Sequence, residues 1–125
     1  MKIERFSLKI HGEQALTPNF KVKEFRCKDN SDEIFIDTDL IKNQLQNIRN
    51  HFAKPINIVS AYRTSTYNKK IGGATNSYHV KGQAIDFNIT GITPNEIAKF
   101  CEKMNLNGII QYNNFVHIDS RPTKY

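Results

Sequence analysis

Asp86 stands inside a strand-like run, Ala84-Ile85-Asp86-Phe87-Asn88-Ile89, with an apolar residue on either side. A carboxylate carried into a core has to be paired, hydrogen-bonded or bound to a metal, because an isolated buried charge is prohibitively costly. Any fold that buries this run must therefore bring partners to Asp86. Two imidazoles are the natural candidates. His79 lies seven residues earlier, in Ser77-Tyr78-His79, and His117 lies in Phe115-Val116-His117-Ile118-Asp119. Two histidines and one carboxylate are a donor set that suits Zn²⁺, with a fourth position left for water. Spacing alone leaves a purely structural role for each histidine open. The glycine at 82 argues against one helix carrying both His79 and Asp86; the spacing instead predicts a loop, a turn and then the strand 84–89, with His117 on a neighbouring strand.

The rest of the chain supplies elements to hold such a site. Leu40, Ile41, Leu45, Ile48 and Phe52 recur at helical spacing and predict a helix over 38–52, capped by Asp37 or Thr38. Ile56-Asn57-Ile58-Val59-Ser60 alternates and is β-branched, as a strand requires. Ala61 to Ala74 reads as a short helix or loop over the mouth of the site. Thr93-Pro94-Asn95-Glu96 opens a second helix, with proline in the first turn and glutamate three residues after threonine. Gly108–Tyr112 and Phe115–Asp119 predict two strands joined at Asn113-Asn114. Residues 1–37 are uneven and read as a partly irregular wrapping arm, with a short strand near Ile3 and Phe6 and a polar loop at Lys28–Glu33. The tail from Ser120 to Tyr125 is expected to fray. This order predicts one α+β domain over 1–125, a small antiparallel sheet with helices packed on it.

Composition narrows the partners. The chain has 125 residues, 38% hydrophobic and 24% charged, and no apolar run approaches the roughly 20 residues that cross a bilayer. Met1–Phe6 includes a glutamate and no long apolar segment, so it does not read as a signal peptide. The expectation is a protein that stays inside the cell or leaves by a route such as lysis. The net charge of +6 is spread along the chain. It fits general attraction to a polyanion, such as nucleic acid or bacterial wall polymer, or simple solubility. No concentrated basic patch or nucleic-acid module is visible. Cys27 and Cys101 form no CxxC motif; a disulfide between them in an oxidising setting stays open, and two separate buried thiols are the expectation.

Several of these segments also resemble a known family. Ser60-Ala61-Tyr62-Arg63, Tyr67-Asn68, Gly72-Gly73-Ala74, Ser77-Tyr78-His79, Gly82 and Ala84-Ile85-Asp86 resemble the signature of the zinc D-Ala-D-Ala carboxypeptidases of peptidase family M15. Phe115–Asp119 resembles its closing ligand motif, and the resemblance runs from about Phe20 to Asp119. It implies the compact α+β fold shared with the hedgehog signalling domain, and Zn²⁺ held by His79, Asp86 and His117. It implies hydrolysis of peptide bonds in peptidoglycan stem peptides, as a carboxypeptidase or an endopeptidase. The setting it implies is a phage lysis or wall-remodelling enzyme. The expectation for the chain itself is a monomer, cytoplasmic until released, with no nucleic-acid partner and no membrane insertion. Arg63 resembles the family arginine beside the metal, placed for an oxyanion or a substrate carboxylate. Ser77 resembles the family serine next to the first histidine. The chain departs from the family at Asn114, where many members carry an acidic general base. Asp119 is then a candidate base, or a carboxylate that orients His117; Glu24 and Asp32 are further candidates for the base, and Tyr62, Tyr67 and Tyr78 are candidates to line the cleft or to pack in the core. The alternative is an inactive relative that binds wall peptide or a partner protein.

Overall fold

Long-range pairing orders the N-terminal segment. In the computed structural model, which describes residues 1–124, β1 (Ile3–Ser7) runs into a single helical turn, α1 (Leu8–His11), where Ser7 Oγ accepts the Ile10 amide. β2 (Ala15–Thr17) and β3 (Phe20–Lys21) make a short hairpin, followed by a 3₁₀ turn at Val22–Phe25. β4 (Glu33–Asp37) then returns to pair antiparallel with β1, from Ile3 opposite Asp37 to Ser7 opposite Glu33. The expected polar loop at Lys28–Glu33 thus ends in a strand. Ile34 and Ile36 of β4 are buried, and the apolar run that drives this is only three residues long.

The expected helix over 38–52 forms as a π-wound segment, Leu40–Leu45, that continues as α2 (Gln46–Phe52). Asp37 Oδ1 accepts the Leu40 amide at its start. Leu40, Ile41, Leu45 and Ile48 all face the core. β5 (Ile56–Ser60) and the short α3 (Ser65–Lys70) follow, with Thr64 Oγ1 capping α3 at the Tyr67 amide. β6 (Ala84–Ile89) occupies the run around Asp86. α4 (Pro94–Glu102) starts at the Thr93 cap, whose Oγ1 accepts the Glu96 amide at 3.2 Å. β7 (Gly108–Gln111) and β8 (Val116–Asp119) close the chain as a hairpin.

The four C-terminal strands form an antiparallel sheet in the order β5-β6-β8-β7. Period-two alternation sorts its faces. Ile85, Phe87, Ile89, Val116 and Ile118 join the hydrophobic core, against which α4 lays Ile97, Ala98 and Cys101. Each large apolar side chain buried this way contributes about 1.5–3 kcal/mol relative to exposure. Asp86, His117 and Asp119 fall on the opposite face. The architecture is α+β. Cys27 and Cys101 are both free and buried. Among the described residues, no helix is long and apolar enough to cross a membrane.

Backbone hydrogen bonds tie the N-terminal segment to the loops that flank the sheet. The Asp37 amide donates to the Gly82 carbonyl at 2.8 Å, and the Tyr62 amide donates to the Phe25 carbonyl at 3.2 Å. Gly82 has φ +76°, and a Cβ there would stand 2.5 Å from the Phe35 carbonyl oxygen. Glycine is needed on both counts. β4 therefore presses directly on the loop between His79 and Asp86.

Candidate functional site

Antiparallel register places three polar residues in one row across the sheet. Ser60 of β5 lies opposite Asp86 of β6, and Asp86 lies opposite His117 of β8. Directly opposed residues share a face, so the carboxylate and the imidazole meet. His117 Nδ1 is 2.8 Å from Asp86 Oδ1. His79 arrives from the loop before β6, and its Nε2 is 3.2 Å from Asp86 Oδ2. The residues that the sequence singled out as a candidate metal set thus converge, with one donor atom from each lying within 4.8 Å of the others. All three side chains are buried.

Each imidazole is oriented by a second contact on its far side. His79 Nδ1 donates to the Ala61 carbonyl at 2.7 Å, which turns Nε2 toward Asp86. Ser77 Oγ accepts the His79 amide at 3.2 Å and so shapes the turn that delivers this ring. His117 Nε2 donates to Asp119 Oδ2 at 2.7 Å, which leaves Nδ1 facing Asp86. The electrostatics follow from these contacts. Burial alone would raise the Asp86 pKa, but hydrogen bonds from His117 and His79 outweigh it and bring it down to about 2. Burial would lower the pKa of His117, yet the carboxylates of Asp119 and Asp86 raise it to about 8.

The donor set suits a divalent ion: two imidazole nitrogens and a carboxylate oxygen lie within 4.8 Å of one another, and His79 Nε2 and His117 Nδ1 approach the two oxygens of Asp86 at 3.2 and 2.8 Å. Imidazole nitrogens disfavour Ca²⁺ and Mg²⁺, which take oxygen ligands, and favour Zn²⁺ or another first-row metal. Three protein donors leave a coordination position for a reacting group.

Arg63 flanks the cluster. Its backbone amide donates to the His79 carbonyl at 3.1 Å. Its Nε donates to Ser60 Oγ at 3.1 Å, its Nη1 donates to Asn68 Oδ1 at 3.2 Å, and its Nη2 lies 3.7 Å from Asp86 Oδ2. The guanidinium is held in place rather than solvated. Asn68 is fixed in turn by the Ala74 carbonyl at 2.8 Å. Gly73 leaves the Asn68 amide its space, since a Cβ there would overlap it.

A family model for peptidase M15 matches residues 18–119. The chain belongs to the peptidase M15 family. The chain is 40% identical over 79 residues to peptidoglycan L,D-endopeptidase MepK of Escherichia coli K12, which takes in 58% of this chain and 43% of the relative. It is 34% identical over 76 residues to a probable peptidoglycan L,D-endopeptidase MepK of Haemophilus influenzae, covering 55% of this chain and 41% of the relative. The chain thus spans less than half the length of these relatives.

The structure also places the remaining candidates in this M15 domain. Asn114 lies in the β7–β8 turn, where its carbonyl accepts Asn88 Nδ2 at 3.3 Å. Asp32 is spent on Ser7 Oγ and the Lys9 amide, and Glu24 on the Lys21 amide. Tyr62 packs in the core against Phe35, and Tyr78 lies beneath Arg121, whose guanidinium carbon is 5.1 Å from the ring centroid. Arg121 is the residue that sequence reasoning missed. The tail does not fray where it was expected to: the Ser120 amide donates to the Gln83 carbonyl at 3.1 Å, and the Arg121 side chain is bound to Asp119. Tyr125, the last residue of that expectation, lies outside the described residues. The signal in the sequence was an arginine two residues beyond an aspartate that itself follows His117 by two.

Proposed function

We propose that this domain is a zinc-dependent endopeptidase that hydrolyses a peptide bond in peptidoglycan stem peptides, an L,D bond in keeping with the activity for which its relatives are named. The observation that carries this reading is the convergence of His79 Nε2, the Asp86 carboxylate and His117 Nδ1. When bound, Zn²⁺ supplies Lewis-acid polarisation of the scissile carbonyl and a water acidic enough to react near neutral pH. His79, Asp86 and His117 would hold it. Arg63, braced by Ser60 and Asn68, offers a positive charge beside the site for a developing oxyanion or a substrate carboxylate. Asp119 orients His117, as outer carboxylates do for metal-bound histidines. Ser77 sets the turn that presents His79. The site of action is the cell wall.

Purified peptidoglycan and synthetic stem peptides, incubated with the protein before and after chelation and zinc restoration, test the reading by mass spectrometry. The expected result is cleavage at an L,D bond that chelator abolishes and zinc restores. Release of terminal D-alanine alone would make the domain a carboxypeptidase instead. A second reading, an inactive domain that binds wall peptide, draws support from Asn114 and from the full engagement of Asp119 by His117 and Arg121. Peptide binding without any turnover in zinc would favour it.

A further inference from the structure

We infer that Arg121 is a positioning residue for the metal centre, acting through Asp119 to hold His117 with Nε2 protonated and Nδ1 turned toward Asp86. The inference rests on the zinc reading of the site. Asp119 is wholly buried, and one residue supplies most of its hydrogen bonds. Arg121 Nε donates to Oδ1 at 2.7 Å, Nη2 donates to Oδ2 at 2.6 Å, and the Arg121 amide donates to Oδ1 at 3.1 Å. This fork fixes both the position and the plane of the carboxylate, which a single point charge cannot do. Oδ2, the oxygen gripped by Nη2, is also the one that accepts His117 Nε2. The line from Arg121 to Asp86 therefore passes through one carboxylate oxygen and one imidazole ring.

Arg121 is itself clamped. Its carbonyl accepts Asn107 Nδ2 at 2.9 Å, and its guanidinium lies over the ring of Tyr78, the residue before His79. The same side chain thus contacts the loop that delivers one imidazole and the carboxylate that aims the other. A surface ion pair would contribute little. This one is buried on the Asp119 side, and removing the arginine would leave a carboxylate free to turn away from His117 or to seek another donor.

The test compares wild type with Arg121→Gln, Arg121→Lys, Asp119→Asn and the Arg121→Gln/Asp119→Asn double variant. Folding is checked by circular dichroism, zinc affinity is read by competition with a chromophoric chelator, and the visible absorption of the Co²⁺-loaded protein reports coordination geometry. The expected result is a fall of about 10–100-fold in zinc affinity for Arg121→Gln. Arg121→Lys should fail to restore it, and the Co²⁺ bands should shift in both. In the Asp119→Asn background, loss of the arginine should cost no more than about twofold further, because the two residues act as one unit. Zinc affinity within about twofold of wild type together with an unchanged Co²⁺ spectrum would overturn the proposal. So would effects of the two substitutions that simply multiply. If Arg121→Gln fails to fold, wild-type affinity in folded Arg121→Lys overturns it equally. Absence of divalent-ion binding by wild type would instead remove the zinc reading, and this inference with it.

Discussion

Gly108 stands directly opposite Asp119 in the β7–β8 ladder, and a Cβ at that glycine would overlap the Asp119 carboxylate. The edge strand thus leaves a notch on the polar face of the sheet, and the carboxylate that orients His117 fills it. Gly108→Ala is expected to push Asp119 off His117 Nε2. Zinc affinity should fall by about 10–100-fold, with overpacking destabilising the fold by about 1–3 kcal/mol. Chelator competition and urea denaturation of the same preparation separate the two effects. Unchanged zinc affinity would show that the notch is not needed for the site.

His79→Ala and His117→Ala each remove one donor from a three-donor set. Zinc content after dialysis is expected to drop to near background, and peptidase turnover to fall more than about 100-fold, beyond the loss of an outer-shell partner. Elemental analysis beside a stem-peptide cleavage assay measures both. Full zinc occupancy in either variant would rule out that residue as a ligand.

Arg63→Ala tests the braced guanidinium apart from the metal. Arg63 donates to Ser60 and Asn68, and its Nη2 stands 3.7 Å from Asp86 Oδ2 without supplying a donor atom to the metal set. The expected outcome is zinc content close to wild type, with kcat/KM on stem peptides lower by about 10²–10³-fold, as for loss of an oxyanion donor. A kcat/KM near that of wild type would reduce Arg63 to a structural residue.

Cys101 reports on the core beneath the sheet. Burial, with a smaller push from Glu102, raises its thiol from 9.0 to about 12. The folded protein at pH 8 should therefore resist alkylation at Cys101 and react only once denatured. Because the raised pKa favours the protonated form in the fold, its contribution to stability is complete below pH 9 and is lost as pH climbs toward 12. Thermal denaturation at pH 8 and pH 10.5 should show a larger drop for wild type than for Cys101→Ala. Equal drops would show that this thiol is not the linked group.

Local pattern carried much of this molecule. The β-branched alternation at 56–60, the proline-marked helix start at Thr93 and the apolar run around Asp86 each specify their element within a few residues. A carboxylate set in such a run demanded partners, and the two histidines able to serve were visible by type and context. The sequence by itself therefore determined the α+β class, the elements of the main sheet and the identity of the converging trio. What tertiary structure decided was everything that depends on residues far apart in the chain. β4 exists as a strand because β1, about thirty residues earlier, lends it a hydrogen-bonded edge. Asp119 became an orienting group only when β7 placed a glycine across from it and the tail folded back to lay Arg121 on both its oxygens. Short-range pattern records which face a side chain takes, whereas the partner it meets there is set by packing between strands and loops that no local spacing encodes.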